Sequence, residues 1–523
     1  MAAWIGIEGE FPISDDWAYA RAVQSLLEAG RIERVAWTWV PLLAHTALGV
    51  SFSAVFGFSY ETLRLSSLVM GWLGLLGAYV LCRVLEARPA WSALGAATVG
   101  LNPLHLVLSY SFMTDVPFTA LITWSLVFLA RGLARPSSGS VAGGLLLAAL
   151  AVSSRQLAFP LFGAAILAVL LRRPRDVRLW LPIGVAGLAV LALLLAWPSL
   201  GLGAGDAGSF AGADRYQRML RSPHLLFFAA RNGLWFVTYA GLFVASAAFA
   251  ARAPRPGGAP LAAASAALAA LALGLAAGAG LHMPFTVDVV NDFFLGWITV
   301  QGADTLPRAP AALWWALAAA GLTLGFFAAG RLALEAVDGR SALRQDGARL
   351  LLLLFPVLYL LVLLPRWPCF DRYLLPVLPP LAALLLAPAG GARRSPRFAL
   401  PLGVILLGVL SAYAVAGTRD NLEHHRARWE LLDELMADGV PPRCIDGGFE
   451  FGGRYNYDPR PEATARRWVV DDAYVVSLAE RLPGRRRVAE RTYRRLLPPG
   501  RERLTVFRRE GDACGGPASQ TTP

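Results

Sequence analysis

Long uncharged apolar runs, repeated along most of the chain, constrain this sequence more than any other feature. Leu261–Leu281 and Ala311–Gly330 are two of them, each matching the about 20 apolar residues that a helix needs to cross a bilayer core. One such run suits a buried core helix; a long series of them does not. With 56% hydrophobic and 16% charged residues, the chain is too apolar for an ordinary soluble fold. The runs read as twelve spans: Leu63–Leu85, Trp91–Leu108, Val116–Leu133, Val141–Ser153, Leu157–Leu171, Leu179–Ser199, Gly233–Ala251, Leu261–Leu281, Ala311–Gly330, Leu350–Leu364, Leu374–Ala387 and Phe398–Ala416. Ser153–Gln156 reads as a buried break between two of them.

The net charge of +12 would suit a nucleic-acid binder, but its position argues otherwise. From Thr418 onward 19 arginines meet 17 acids, so nearly all of the excess belongs to the apolar part. There it sits in short links: Arg172, Arg173, Arg175 and Arg178; Arg252 and Arg255; Arg340, Arg344 and Arg349; Arg393, Arg394 and Arg397. That is the signature of cytoplasmic loops, and no nucleic-acid partner is implied. The basic residues are all arginine, without one lysine. This excludes a phosphate loop built on Lys and Schiff-base chemistry, and with abundant Ala and Gly it fits a GC-rich bacterial genome. The cysteines Cys82, Cys369, Cys444 and Cys514 have no metal-ligand spacing; a bridge, if there is one, would join Cys444 and Cys514.

Links rich in Asp and aromatics alternate with the basic ones: Ser109–Asp115, Gly201–Asn232, Met283–Pro310 and Pro365–Arg372. Alternation puts these on the outer face of the cell membrane, with residues 1–60 and everything after Thr418. The expected organisation is a first outer loop with juxtamembrane helices (1–60), an all-helical membrane domain (61–417), a small extracytoplasmic α/β domain (418–510) and a disordered tail (511–523). Nothing in Met1–Arg34 resembles a signal peptide or a first span, so a transmembrane helix before the first loop is expected to be missing, through a late start or real divergence. In the last domain Asp420–Asp438 predicts an amphipathic helix ended by Gly439, followed by strands near Trp468–Leu478 and Arg503–Arg508.

Four constellations could carry chemistry. "PISDDWAYA", Pro12–Ala20, pairs Asp15 with Asp16 beside Trp17 and Tyr19; partial desolvation would raise a carboxylate pKa and favour a general base. The plain alternative is helix capping by Ser14 or Asp15. "SYSFMTDVPF", Ser109–Phe118, sets Asp115 at a span start, where it is either a cap or a functional charge. "SSRQLAFP", Ser153–Pro160, wedges Arg155 and Gln156 between apolar stretches. Arg155 suits a phosphate or a salt bridge to Asp15, Asp16 or Asp115. "CFDRYLLPVLPPL", Cys369–Leu381, offers Asp371, Arg372 and Tyr373, the last reading as an interfacial aromatic. His424 and His425, adjacent at a helix start, read as solvated surface.

In order and sidedness, these motifs resemble the GT-C superfamily of membrane glycosyltransferases, which contains the protein O-mannosyltransferases and aminoarabinose transferases. "DDWAYA", "GFSYETLRLSSLVMGWLG" (Gly57–Gly74), "NPLHLVLSYSFMTDVPF" (Asn102–Phe118) and "DRYLLPVLPPL" (Asp371–Leu381) carry the resemblance, most densely over Phe11–Leu133. It implies transfer of a sugar from a polyprenyl-phosphate donor to a glycan, lipid or protein acceptor at the outer face. By the same resemblance Asp15 or Asp16 would act on the acceptor hydroxyl, and Asp115 would shape that site. Arg155, Gln156 and Arg372 would face the donor phosphate, and Trp17, Tyr19, His45 and Tyr373 the acceptor or lipid. No cofactor is implied with certainty, and a divalent metal among the carboxylates stays open. A transporter or lipid flippase, or a non-catalytic envelope-assembly protein, are the alternatives.

Overall fold

The computed structural model describes residues 2–33, 35, 38, 40–196, 213–250, 258–281, 288–337, 346–387, 399–458, 468–511 and 514. The basic links at 252–255, 340–344 and 393–397 and residues 201–212 lie outside the described residues, as do Trp37 and all of the tail except residues 511 and 514.

Among the described residues every expected apolar run falls on helix. Five helices are long and apolar enough to cross a membrane: Tyr60–Val84, Asp115–Ala134, Ala259–Gly278, Ala311–Val337 and Leu400–Ala437. Shorter apolar helices include Leu43–Phe56, Ser138–Ser154 and Gly347–Leu363, and the chain is a multi-pass membrane protein. Polar residues set the helix starts. Ser59 accepts from Thr62 N–H at 3.0 Å to cap Tyr60–Val84, and Asp346 caps Gly347–Leu363 through Ala348 N–H. Helices meet closely where side chains vanish. A Cβ on Gly241 would lie 1.9 Å from the Gly321 carbonyl oxygen, so these two glycines let Leu225–Phe243 and Ala311–Val337 touch backbone to backbone.

Several expected spans are broken. Trp91–Leu108 is two helices, Pro89–Gly100 and Pro103–Ser109. Asn102 accepts from Leu104 N–H at 2.9 Å and Pro103 opens the second helix, so an Asn-Pro pair restarts the chain here. Leu374–Ala387 begins as a 3-10 turn, Asp371–Val377, before the Leu378–Leu386 helix. The expected break at Ser153–Gln156 is present: Ser138–Ser154 ends, Arg155 is extended, and a short turn leads into Phe159–Arg172.

The last apolar run and the amphipathic Asp420–Asp438 segment form a single helix, Ala399–Ala437, so the expected boundary at 418 falls inside it. Against its end packs a four-stranded sheet in the order Ile445–Asp446, Tyr474–Ser477, Pro499–Arg509, Arg485–Leu496. The first pair is parallel and the others antiparallel. Cys444 and Cys514 are joined by a disulfide. Of the expected Trp468–Leu478 strand only Tyr474–Ser477 forms. The Arg485–Leu496 strand was not expected, because arginines at 486, 487, 491 and 494 mask its pattern.

His424 and His425 are buried rather than solvated, at 1% and 0% exposure. The sheet covers His424, whose Nδ1 lies within 3.1 Å of the Tyr493 hydroxyl, and Phe11 of the N-terminal segment stacks on His425. The N-terminal segment is buried in the same core: Ile5, Phe11 and Ile13 join Leu422, Trp429, Phe451 and Val506. The first loop is therefore clamped between the helical body and the C-terminal sheet domain.

Candidate active site

Asp15 and Asp16 open the Asp16–Ala29 helix but face different neighbours. Asp15 occupies the cap position, yet its side chain makes no capping hydrogen bond. Its charged surroundings are Arg372, Asp288, Asp115 and Glu450. Asp16 is 1% exposed and accepts the Ile13 N–H at 3.3 Å, with Arg64 as its nearby cation. Burial pushes both carboxyls up, Asp15 to about 6 and Asp16 to about 7. For Asp15 the Arg372 charge opposes this rise and the neighbouring acids add to it. Part of the Asp15 surface remains accessible although protein surrounds it.

Asp115 is not a cap either. Thr114 holds that position, and the Asp115 carboxylate forms a buried ion pair with Arg155. The second oxygen of Asp115, Oδ2, is buried without a hydrogen-bond partner. The break after Ser154 is what turns Arg155 inward, its guanidinium 5.2 Å from the centre of the Tyr373 ring and 5.7 Å from that of Phe118. Gln156 begins the turn that follows.

Arg372 reaches the same place from the Asp371–Val377 turn. It pairs with Asp288 at 3.5 Å and stacks near Phe370 (4.8 Å) and Trp297 (5.3 Å). Trp297 Nε1 donates to Asp288 at 3.0 Å, fixing the acid that faces Arg372. Asp371 accepts from Val289 N–H at 3.4 Å and Val290 N–H at 2.8 Å, which holds the loop bearing Asp288 in place. Burial raises the Asp288 pKa and Arg372 opposes the rise. Arg372 Nη1 is buried with no hydrogen-bond partner.

The structure thus brings together Asp15, Asp115, Arg155, Arg372 and Tyr373, with Tyr19 in electrostatic contact with the first four. Tyr373 is buried beneath Arg155 rather than set in an interfacial belt. His45 stacks on Phe112 at 4.1 Å, with Nε2 3.0 Å from the Phe112 carbonyl oxygen, and meets Tyr19 edge-on. Trp17 turns away from the acids into a ring cluster with Trp468, Tyr457 and Phe449, at the seam with the C-terminal domain. A polar cavity of about 480 Å³ opens along that seam, bordered by Trp17, Glu10, Arg21, Tyr60, Arg454 and Tyr455.

Sequence reasoning missed Asp288, Glu450, Arg428 and Arg64. Asp288 lay in a link already marked as acidic, and Glu450 inside "GGFEFGG"; neither had a motif to raise it above its neighbours. Among the described residues, the acids of this cluster do not gather three metal-ligating atoms at one point. The group that does is Cys444, Asp471 and Cys514, whose sulfurs are bonded to each other.

Residues 41–201 match the family model of dolichyl-phosphate-mannose-protein mannosyltransferases, less than half of the 523-residue chain. No curated protein matches the sequence. Two solved structures are similar to it, both of ArnT from Cupriavidus metallidurans. The apo form is 16% identical with a TM-score of 0.38, over 97% of this chain and 96% of that one. The form bound to undecaprenyl phosphate is 17% identical with a TM-score of 0.39, over the same 97% and 96%. The family match takes in Asp115 and Arg155.

Proposed function

We propose that the chain transfers a sugar from a polyprenyl-phosphate donor to a lipid, glycan or protein acceptor at the outer face of the membrane. Asp15 acts as the general base and Arg372 receives the donor phosphate. The observation that carries this reading is a carboxyl raised by burial, on a residue that is not fully enclosed (Asp15), within the electrostatic reach of a buried guanidinium (Arg372) that has a donor to spare. The matching family is named for a dolichyl-phosphate sugar donor, which is chemistry of this kind.

In the transfer, Asp15 takes the proton of the acceptor hydroxyl as its oxygen bonds to the anomeric carbon of the sugar. The bond from that carbon to the phosphate oxygen breaks, and polyprenyl phosphate leaves with the electron pair. Charge developing on the leaving phosphate falls to Arg372, whose fork suits phosphate oxygens. Arg155 is held closer to Asp115 than Arg372 is to Asp288 and has one unpartnered nitrogen where Arg372 has two, so it orients Asp115 and Tyr373 rather than meeting the donor first. Asp16, turned toward Arg64, supports the loop. A divalent ion joining the carboxylates is a separate proposal, tested by chelation.

The test is release of polyprenyl phosphate from a panel of synthetic polyprenyl-phosphate hexoses and pentoses, in bilayers carrying envelope acceptors. Asp15→Asn should insert and fold normally yet lose about 10²-fold or more in rate, the effect of removing a general base, while Asp16→Asn loses far less. Wild-type rates from Asp15→Asn would remove the base assignment.

A further inference from the structure

Ser14, the residue before Asp15, has a backbone φ of 53°, a left-handed conformation that non-glycine residues hold only when surroundings impose it. Its N–H is donated to Glu450 Oε1 at 3.1 Å, across 436 residues of sequence. The other oxygen of Glu450 pairs with Arg428 Nη1 at 2.9 Å and accepts the Thr299 hydroxyl. Arg428 also donates to the Gly447 carbonyl at 2.8 Å and to Thr299 Oγ1 at 3.2 Å. Both members of the Arg428–Glu450 pair are fully buried.

Three segments therefore meet on one carboxylate: the first loop through Ser14, the loop bearing Asp288 and Trp297 through Thr299, and the C-terminal domain through Arg428. The junction is too tight for a side chain at Gly448. Its φ is 93°, and a Cβ there would lie 2.9 Å from both Arg428 Nη2 and Thr299 Oγ1.

We infer that Glu450 is a positioning residue: held by Arg428, it fixes the Ser14 turn and through it the direction of the Asp15 carboxylate. This rests on the reading of Asp15 as the base. A buried ion pair alone is weak evidence for anything beyond packing, and two further features point to Asp15. The Glu450 carboxylate grips the backbone of the residue adjoining it, and Glu450 is one of the negative charges acting on Asp15 itself.

The experiment uses the full chain in bilayers. Glu450→Gln keeps an acceptor for the Ser14 N–H but removes a negative charge near Asp15, so ionising Asp15 becomes easier and the acid limb of kcat/KM moves to lower pH. Glu450→Ala also frees the turn, and kcat should fall up to about 10²-fold, as for a small misplacement of a reacting group, with donor KM little changed. Ser14→Gly added to Glu450→Ala should worsen that loss, because glycine loosens a turn that has lost its clasp. The double variant Arg428→Gln/Glu450→Gln leaves no uncompensated buried charge and serves if Glu450→Gln alone does not fold; it removes both charges, so it is read through kcat, and a wild-type kcat there would overturn the inference.

An acid limb that stays put in the folded Glu450 single variants would overturn the inference, as would a parallel loss of kcat and thermal stability with no change in the profile. Failure of all four to fold would overturn it too, since the pair would then hold the domain and nothing more specific. Asp15→Asn separates the two ideas: if it is as active as wild type the base reading fails, whereas if it is inactive and Glu450 changes are silent only this inference does.

Discussion

Arg64 and Arg372 are both buried arginines near the first loop, one on each side of the Asp15–Asp16 pair, and they are spent in different ways. Arg64 gives its guanidinium to the carbonyls of Ile7 (2.9 Å), Gly9 (2.7 Å) and Phe11, and lies 4.3 Å from the centre of the Phe11 ring. Arg372 makes a 3.5 Å ion pair with Asp288 and no hydrogen bond from Nε or Nη1. Desolvating an arginine is costly unless its donors are used. The first site uses both terminal nitrogens on the chain itself, leaving only Nε without a partner, and so ties the N-terminal segment to the helical body. The second keeps donors in reserve, which is the arrangement expected where an anion arrives from outside.

Four measurements would break or sharpen that contrast. The largest effect is expected from Arg64→Met, which strips donors from three carbonyls. At about 1–3 kcal/mol for each buried group left unsatisfied, the N-terminal segment should come loose, read as lost folded protein after detergent extraction. Folded, active Arg64→Met protein would make the two arginines equivalent. Next comes Arg372→Gln, which should lose about 10²- to 10³-fold in turnover, the range for removing one charge-stabilising donor, with a smaller loss of stability because Asp288 keeps the Trp297 N–H. Arg155→Gln should instead lower stability, since it strands the buried Asp115 carboxylate. The reverse pattern, with Arg155→Gln folded and defective in donor use, would hand the phosphate to Arg155. The smallest effect is in wild-type protein: activity should fall as pH drops through about 6, where Asp15 becomes protonated and cannot accept a proton. A rate flat from pH 5 to 8 would detach Asp15 from the chemistry.

The membrane architecture was legible because bilayer helices advertise themselves by composition, and among the described residues each apolar run lies mainly on helix. What the runs hid were the breaks. Asn102–Pro103 and the Pro376 region interrupt apolar stretches without adding a charge, so hydropathy passes over them. At the site, Asp15, Asp115, Arg155 and Arg372 could be named because polar residues flanking apolar helices stand out. Their partnerships could not. Whether Arg155 met Asp15, Asp16 or Asp115 depended on how an extended residue at the break aims its side chain. Glu450 reaches Ser14 only because the C-terminal domain folds back over the first loop. His424 and His425 show the same limit, since two polar residues look solvated until a distant strand covers one and Phe11 stacks on the other.

The Ala399–Ala437 helix is 39 residues long, which at 1.5 Å per residue spans about 58 Å. It is more than enough to cross a bilayer and continue unbroken into the domain that carries Arg428. No flexible linker separates the two, so this helix works as a stiff mast. Bilayers of different thickness change the tilt of a span, and a tilt at the foot of this mast is delivered at its head as a displacement of the sheet domain. Lipid acyl-chain length thereby becomes a variable that acts on the turn before Asp15 without touching the donor.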